Sequence, residues 1–241
     1  MTHPHAGPQP HHGPQRHLNG AAPSAVVDAA FTELLERARA LAGRGRRAIL
    51  GITGAPGAGK STLAERLVAE LGPEIAVLVP MDGFHLADAV LHELGRHARK
   101  GAHDTFDAAG YVSLIRRLAA QGADREGPGD ATVYAPVFRR DLEEPIGSAI
   151  PVHRDVPLVV TEGNYLLHEA DPWPCARAEI DEVWFLAPGE EQRLERLIER
   201  HMRFGRSAEE ARERSLGSDQ RNADLIGSTA ERADLIVRLV D

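Results

Sequence analysis

Nine consecutive residues, Gly54-Ala55-Pro56-Gly57-Ala58-Gly59-Lys60-Ser61-Thr62, carry the strongest chemical signal in the 241-residue chain. They match the pattern G-x-x-x-x-G-K-S, whose glycines let the backbone curl until successive N–H groups face inward and bind phosphate oxygens. The positive end of a following helix adds to this anion site. Lys60 is placed to reach the β- and γ-phosphates of a bound nucleotide, and the Ser61 hydroxyl to coordinate Mg2+. Two carboxylates could complete the chemistry. Asp82, within Met81-Asp82-Gly83-Phe84-His85, follows the apolar run Ile75–Val79 and could accept the proton of an attacking hydroxyl. Glu162 follows the apolar run Leu158–Thr161 and could hold Mg2+ directly or through water. The plain alternatives are an Asp-Gly turn with a solvated carboxylate and a helix-capping glutamate.

These residues can act together only if the fold brings them to one rim. Short apolar runs at Ala48–Ile52, Ile75–Val79, Leu158–Thr161, Val183–Leu186 and Leu235–Val237 read as buried strands. Helical spacing lies between them: Leu63, Leu67, Val68 and Leu71; a segment at 87–94; Tyr111, Leu114, Ile115 and Leu118; and Leu194, Leu197 and Ile198. Val26, Val27, Ala30, Phe31, Leu34 and Leu35 also fit one helix, with Ser24 as N-cap. A basic loop spans Arg96 to His103 and a Gly-rich loop spans Gly122 to Asp130. Gly205 ends the helix after Pro188, and Ser207 with Glu210 reads as a capping box. Alternating strands and helices predict a mainly parallel sheet covered on both faces, with ligands outside the carboxyl ends of the strands. The expectation is an α/β, three-layer P-loop NTPase fold with a helical lid at about residues 200–222.

Arg193, Arg196, Arg200, Arg203 and Arg206 recur at three- and four-residue spacing. Arg193 and Arg196 read as a solvated face paired with Glu195 and Glu199. Arg200 and Arg203, beside the Phe204-Gly205 break, read as lid cations that meet the transferring phosphate.

Composition bounds the rest. The chain has 42% hydrophobic and 27% charged residues, enough for a sizeable core. A single cysteine, Cys175, fits a reducing cytoplasm, and no apolar run is long enough to span a membrane. With 28 Lys and Arg against 36 Asp and Glu, the net charge of −8 disfavours nucleic-acid binding. Residues 1–23 alternate histidine with proline and read as a disordered tail ahead of a single domain at 24–241. No N/T/S-K-x-D guanine-reading motif is present, which disfavours a GTPase. No Asp-Glu strand end is present either, which disfavours an ATPase motor. A phosphotransferase remains.

The sequence resembles the P-loop kinases grouped as uridine kinase, phosphoribulokinase and pantothenate kinase. It is nearest to a bacterial branch of nucleoside/nucleotide or fructose transport-system kinases. Five blocks carry the resemblance: Gly54–Thr62, Met81–Phe84, Lys100-Gly101 through Thr105-Phe106-Asp107, Ala135-Pro136-Val137-Phe138 and Thr161-Glu162-Gly163. The resemblance implies ATP and Mg2+ as cofactors, Asp82 as base, and Glu162 as the acid that closes the metal site. It also implies Asp107 near the acceptor, Arg200 and Arg203 as lid cations, and Asn222 at a substrate contact. His85 and Phe138 fall in the same acceptor region. After Ala135-Pro136-Val137 the chain departs from the pantothenate kinase pattern with Phe138-Arg139-Arg140, and it lacks that enzyme's aromatic-rich segment after the lid helix. Arg140 suits a polyhydroxylated or anionic acceptor, because a guanidinium fork pairs with carboxylate, phosphate or hydroxyls. The expected function is transfer of the γ-phosphate of ATP to a hydroxyl of a nucleoside, sugar or pantothenate-like metabolite. The expected partner is that small acceptor, without nucleic acid or membrane, and a homodimer stays open. The alternatives are a nucleotide-dependent metallochaperone using the histidine tail, or a regulatory ATP-binding protein.

Overall fold

The computed structural model describes residues 25–123 and 132–240; the histidine-rich tail and most of the Gly122–Asp130 loop lie outside them. In chain order the elements are β1 (Val27–Ala30), α1 (Phe31–Ala42), β2 (Ala48–Gly54), α2 (Lys60–Leu71), β3 (Ala76–Pro80) and α3 (Asp88–Glu93). There follow α4 (Ala108–Ala123), β4 (Thr132–Arg139), β5 (Glu144–His153), β6 (Leu158–Glu162), α5 (Trp173–Arg177) and β7 (Glu182–Leu186). The last elements are α6 (Glu190–Arg203), α7 (Ala208–Leu216), α8 (Ser218–Gly227) and β8 (Leu235–Val240).

Six strands form one sheet in the order β1-β8-β7-β2-β6-β3, and every neighbouring pair is parallel. Successive strand residues point to opposite faces, and both faces are covered, so the strands read as continuous apolar runs. Ile49, Val159, Val183 and Phe185 enter the core under α4 and α5 with Tyr111, Ile115 and Trp173. Leu50, Ile52, Val160 and Trp184 enter the opposite core under α1 and α2 with Leu34, Leu63 and Leu67. This is the expected α/β P-loop NTPase architecture. The Ser207–Glu210 capping box is also present, with Glu210 N–H donating to Ser207 Oγ at 3.2 Å.

Two elements differ from expectation. The first helix starts at Phe31 and has Ala30 at its N-cap, while Val27–Ala30 is a strand paired with β8. Phe31, Leu34, Leu35, Ala38 and Leu41 make a buried stripe without help from Val26 and Val27, which are exposed. The second is an antiparallel ribbon, β4–β5, with a register break between Ala135 and Val137. Val133 and Ala135 are buried while Tyr134 is exposed, a half-buried alternation. Pro136, Pro145, Gly147 and Pro151 hide that alternation in the sequence.

Candidate active site

The phosphate loop runs from the carboxyl end of β2, one of the two central strands of the sheet, into α2. At Gly57 the backbone has φ 86°, and a Cβ would lie 2.5 Å from the Arg193 carbonyl oxygen. Only glycine lets the loop lie this close against α6. Lys60 is buried at the start of α2, and its Nζ donates to the Ala55 carbonyl at 3.1 Å.

β6 and β3 deliver the two carboxylates to the same rim. Gly163, just past Glu162, abuts the Met81 side chain so closely that a Cβ would stand 2.5 Å from Met81 Cβ. Gly83 abuts the ribbon in the same way, with a Cβ position 2.6 Å from the Pro136 carbonyl oxygen. Three of the sequence blocks are therefore in contact: Thr161-Glu162-Gly163, Met81–Phe84 and Ala135–Phe138.

A cavity of about 420 Å3 opens over this rim. Lys60, Ser61, Asp82, Glu162 and Arg200 line it, as do His85, Phe138, Arg140 and Asn222. Glu162 is buried, with the Ser61 hydroxyl in hydrogen-bonding reach. Burial and the charge of Asp82 push the Glu162 carboxyl up, against the pull of Lys60 and Ser61. Burial pushes the Lys60 ammonium down, opposed by Glu162 and reinforced by Arg200. The pair is thus two buried groups of opposite charge beside a serine hydroxyl. A buried carboxylate next to a hydroxyl is a hard oxygen set that fits Mg2+. Among the described residues no cluster of three or more His, Cys, Asp and Glu could hold a metal by itself.

Asp82 sits in the 3-10 turn that follows β3, and Arg140 Nη2 donates to its Oδ2 at 3.3 Å. His85 Nδ1 donates to the Asp82 carbonyl at 2.8 Å, and the ring packs between Phe106 and Phe138 at 4.1 and 4.8 Å. Burial above all holds the His85 ring below its ordinary pKa, so it stays neutral.

Three sequence expectations need correction. Asp107 does not line the cavity; it is exposed, and its Oδ1 accepts from Gly110 N–H at 2.8 Å, capping α4. Arg203 is exposed and also outside the cavity lining. Arg193 is not on a solvated face. It is 3% exposed and donates to the Pro56 carbonyl at 2.9 Å, to Gln220 Oε1 at 2.6 Å and to both carboxylate oxygens of Glu190. It joins the phosphate loop to α8.

Other cavity residues received no role from sequence. Lys100 Nζ lies between Asp88 Oδ1 at 2.6 Å and the Glu143 carbonyl at 2.5 Å, and 5.2 Å from the Phe138 ring centre. The Lys100-Gly101 block was the available signal. Arg206, Arg214 and Asp219 also line the cavity, and Asp219 binds His201 Nε2 at 2.6 Å, tying α8 to α6. Arg206 continues the arginine spacing of the lid helix, whereas nothing in the spacing pointed to Arg214 or Asp219.

Sheet order, phosphate loop and rim carboxylates define a P-loop NTPase. Comparison with known proteins narrows the class. A Schizosaccharomyces pombe protein named as a candidate uridine kinase is 34% identical over 221 residues, covering 86% of this chain and 90% of that protein. The uncharacterised YggC of Escherichia coli is 30% identical over 201 residues, covering 81% and 79%. A solved structure described as a candidate fructose transport system kinase from Silicibacter sp. TM1040 superposes with TM-score 0.73 at 31% identity, covering 86% of this chain and 98% of that one. The yeast YFH7 structure superposes with TM-score 0.75 at 19% identity, which speaks for the fold alone. The family model of the methylmalonyl Co-A mutase-associated GTPase MeaB matches residues 21–83, the stretch around the phosphate loop. The chain belongs to the P-loop kinases of the uridine kinase-like group.

Proposed function

We propose that the protein transfers the γ-phosphate of ATP to a hydroxyl group of a small polar metabolite, of the nucleoside, sugar or pantothenate-like kind. Lys60 and the loop amides of Gly54–Thr62 hold the phosphates, and Ser61 and Glu162 hold Mg2+, which neutralises charge on the nucleotide when bound. Asp82 takes the proton of the acceptor hydroxyl as its oxygen bonds to the γ-phosphorus and ADP leaves. Arg200 offsets the charge that develops on the transferring group.

The observation that supports this reading is the convergence of Lys60, Asp82, Glu162 and Arg200 on one cavity from four separate elements. The metallochaperone alternative shares no more with the MeaB match, a mutase-associated GTPase, than the phosphate-loop region, and that match ends at Gly83. It gives no role to the ribbon and the lid that enclose the cavity beyond it. Release of ADP from MgATP, followed across nucleosides, sugars, sugar acids and pantothenate, tests the proposal. Acceptor-dependent turnover is expected. Nucleotide binding with no acceptor response anywhere in the panel, together with hydrolysis responsive to Ni2+ or Zn2+, would favour the chaperone instead.

A further inference from the structure

The acceptor end of the cavity carries a cation that the proposed transfer does not use. Arg140, just past β4, lies 5.9 Å from the ring centre of Phe138 and 5.9 Å from that of Phe204, the residue that caps the end of α6. Its guanidinium therefore sits between ribbon and lid. A guanidinium has five donors; among the described residues its one side-chain hydrogen bond is the 3.3 Å ion pair with Asp82, and with 46% of the side chain exposed its other donors face the open cavity. The other acceptor-end cation, Lys100, is already held by Asp88 and the Glu143 carbonyl. Arg140 is also close enough to Arg200 for the two to repel, and its charge helps Lys100 keep His85 neutral.

A neutral acceptor would cover Arg140 while giving its charge little in return. It would also engage Asp82, the partner Arg140 does have. Covering this half-exposed cation while diverting Asp82 to the hydroxyl would cost it solvation and its counter-charge together. An anion on Arg140 would satisfy the fork and relieve the repulsion from Arg200. It would also let a negatively charged acceptor approach the anionic nucleotide.

We propose that Arg140 forms an anion subsite for the acceptor, so that the substrate is a hydroxyl compound already bearing a carboxylate or phosphate. The subsite rests on the kinase reading, with the anion taking the guanidinium donors that Asp82 leaves free.

The test uses the full chain saturated with Mg2+ and a non-hydrolysable ATP analogue, titrated calorimetrically with matched pairs. These are glycerol and D-glycerate, D-fructose and fructose 6-phosphate, and uridine and uridine 5′-monophosphate. At least one anionic member should bind about 10–100-fold more tightly than its neutral partner, the range a charge-assisted fork supplies. Preference for glycerate would assign a carboxylate, and preference for the monophosphates a phosphate. Arg140→Gln should abolish the preference and Arg140→Lys should keep part of it, with analogue affinity within about twofold throughout. The subsite is overturned if no anion outbinds its neutral partner, if the preference survives Arg140→Gln, or if that change weakens the analogue instead. Turnover of the same pairs with ATP separates the two claims. Anion binding without transfer would refute the kinase reading and leave the subsite, whereas transfer confined to neutral members would do the reverse.

Discussion

Arg193→Met removes the guanidinium beneath the phosphate loop while keeping an apolar stem of similar length. Two bonds to sheltered acceptors are lost, at the Pro56 carbonyl and Gln220 Oε1. Each bond from a charged donor contributes about 1.5–3 kcal/mol. The Glu190 pair adds at most about 1 kcal/mol, because Glu190 is 68% exposed. Releasing the guanidinium from burial offsets part of this loss, leaving a net of about 2–4 kcal/mol. For a domain of this size that is a fall in Tm of about 4–16 °C. The freed Pro56 carbonyl also loosens the loop, so nucleotide affinity should drop about tenfold. Thermal melts with and without a non-hydrolysable ATP analogue read both effects. The neighbouring Arg196→Met, on an exposed position, should stay within about 0.5 kcal/mol of the parent. A Tm shift under 2 °C in Arg193→Met, with unchanged nucleotide affinity, would refute the reasoning and return Arg193 to the solvated face that spacing suggested.

Two further outcomes follow from the contacts around Asp82. Gly83→Ala forces a Cβ against the Pro136 carbonyl, 2.6 Å from its oxygen and 2.8 Å from its carbon. Because both atoms are backbone the turn must shift, costing about 1–3 kcal/mol and lowering turnover about 10²-fold through a misplaced Asp82; activity within threefold of the parent would contradict this. His85 is held neutral in the fold chiefly by burial, while the unfolded ring gains a proton near pH 6.5. The folded state therefore binds fewer protons below that value, and stability should be full above pH 6.5 and fall as the pH drops through it, by up to about 1.4 kcal/mol per unit. Denaturant melts between pH 5 and 7.5 should show this slope reduced in His85→Gln, and an identical slope would refute the assignment.

The phosphate loop and the central strands could be read from sequence because their causes are local. A backbone anion cradle needs its glycines in order, and a strand buried on both faces needs an unbroken apolar run. Two of the misses depend on distant parts of the chain. Val27–Ala30 has helical spacing, and only pairing with β8, with Asp28 bound to Arg238, makes it a strand. Arg193 follows the same spacing as its neighbours on α6, and nothing local says that Pro56 lies against it. Asp107 carries the residue type of an acceptor contact, but the Gly110 N–H at the start of α4 takes its carboxylate. The ribbon's prolines fall at its register break and along its edges, where pairing tolerates them.

Asp82→Asn tests the central claim most directly, because it keeps the size of the side chain and removes its capacity to take a proton. Steady-state ADP release on the responding acceptor, paired with titration of an ATP analogue, should show turnover reduced about 10²–10⁴-fold and nucleotide affinity retained. Turnover equal to the parent would remove Asp82 from the chemistry and contradict the account of a rim-assembled kinase site.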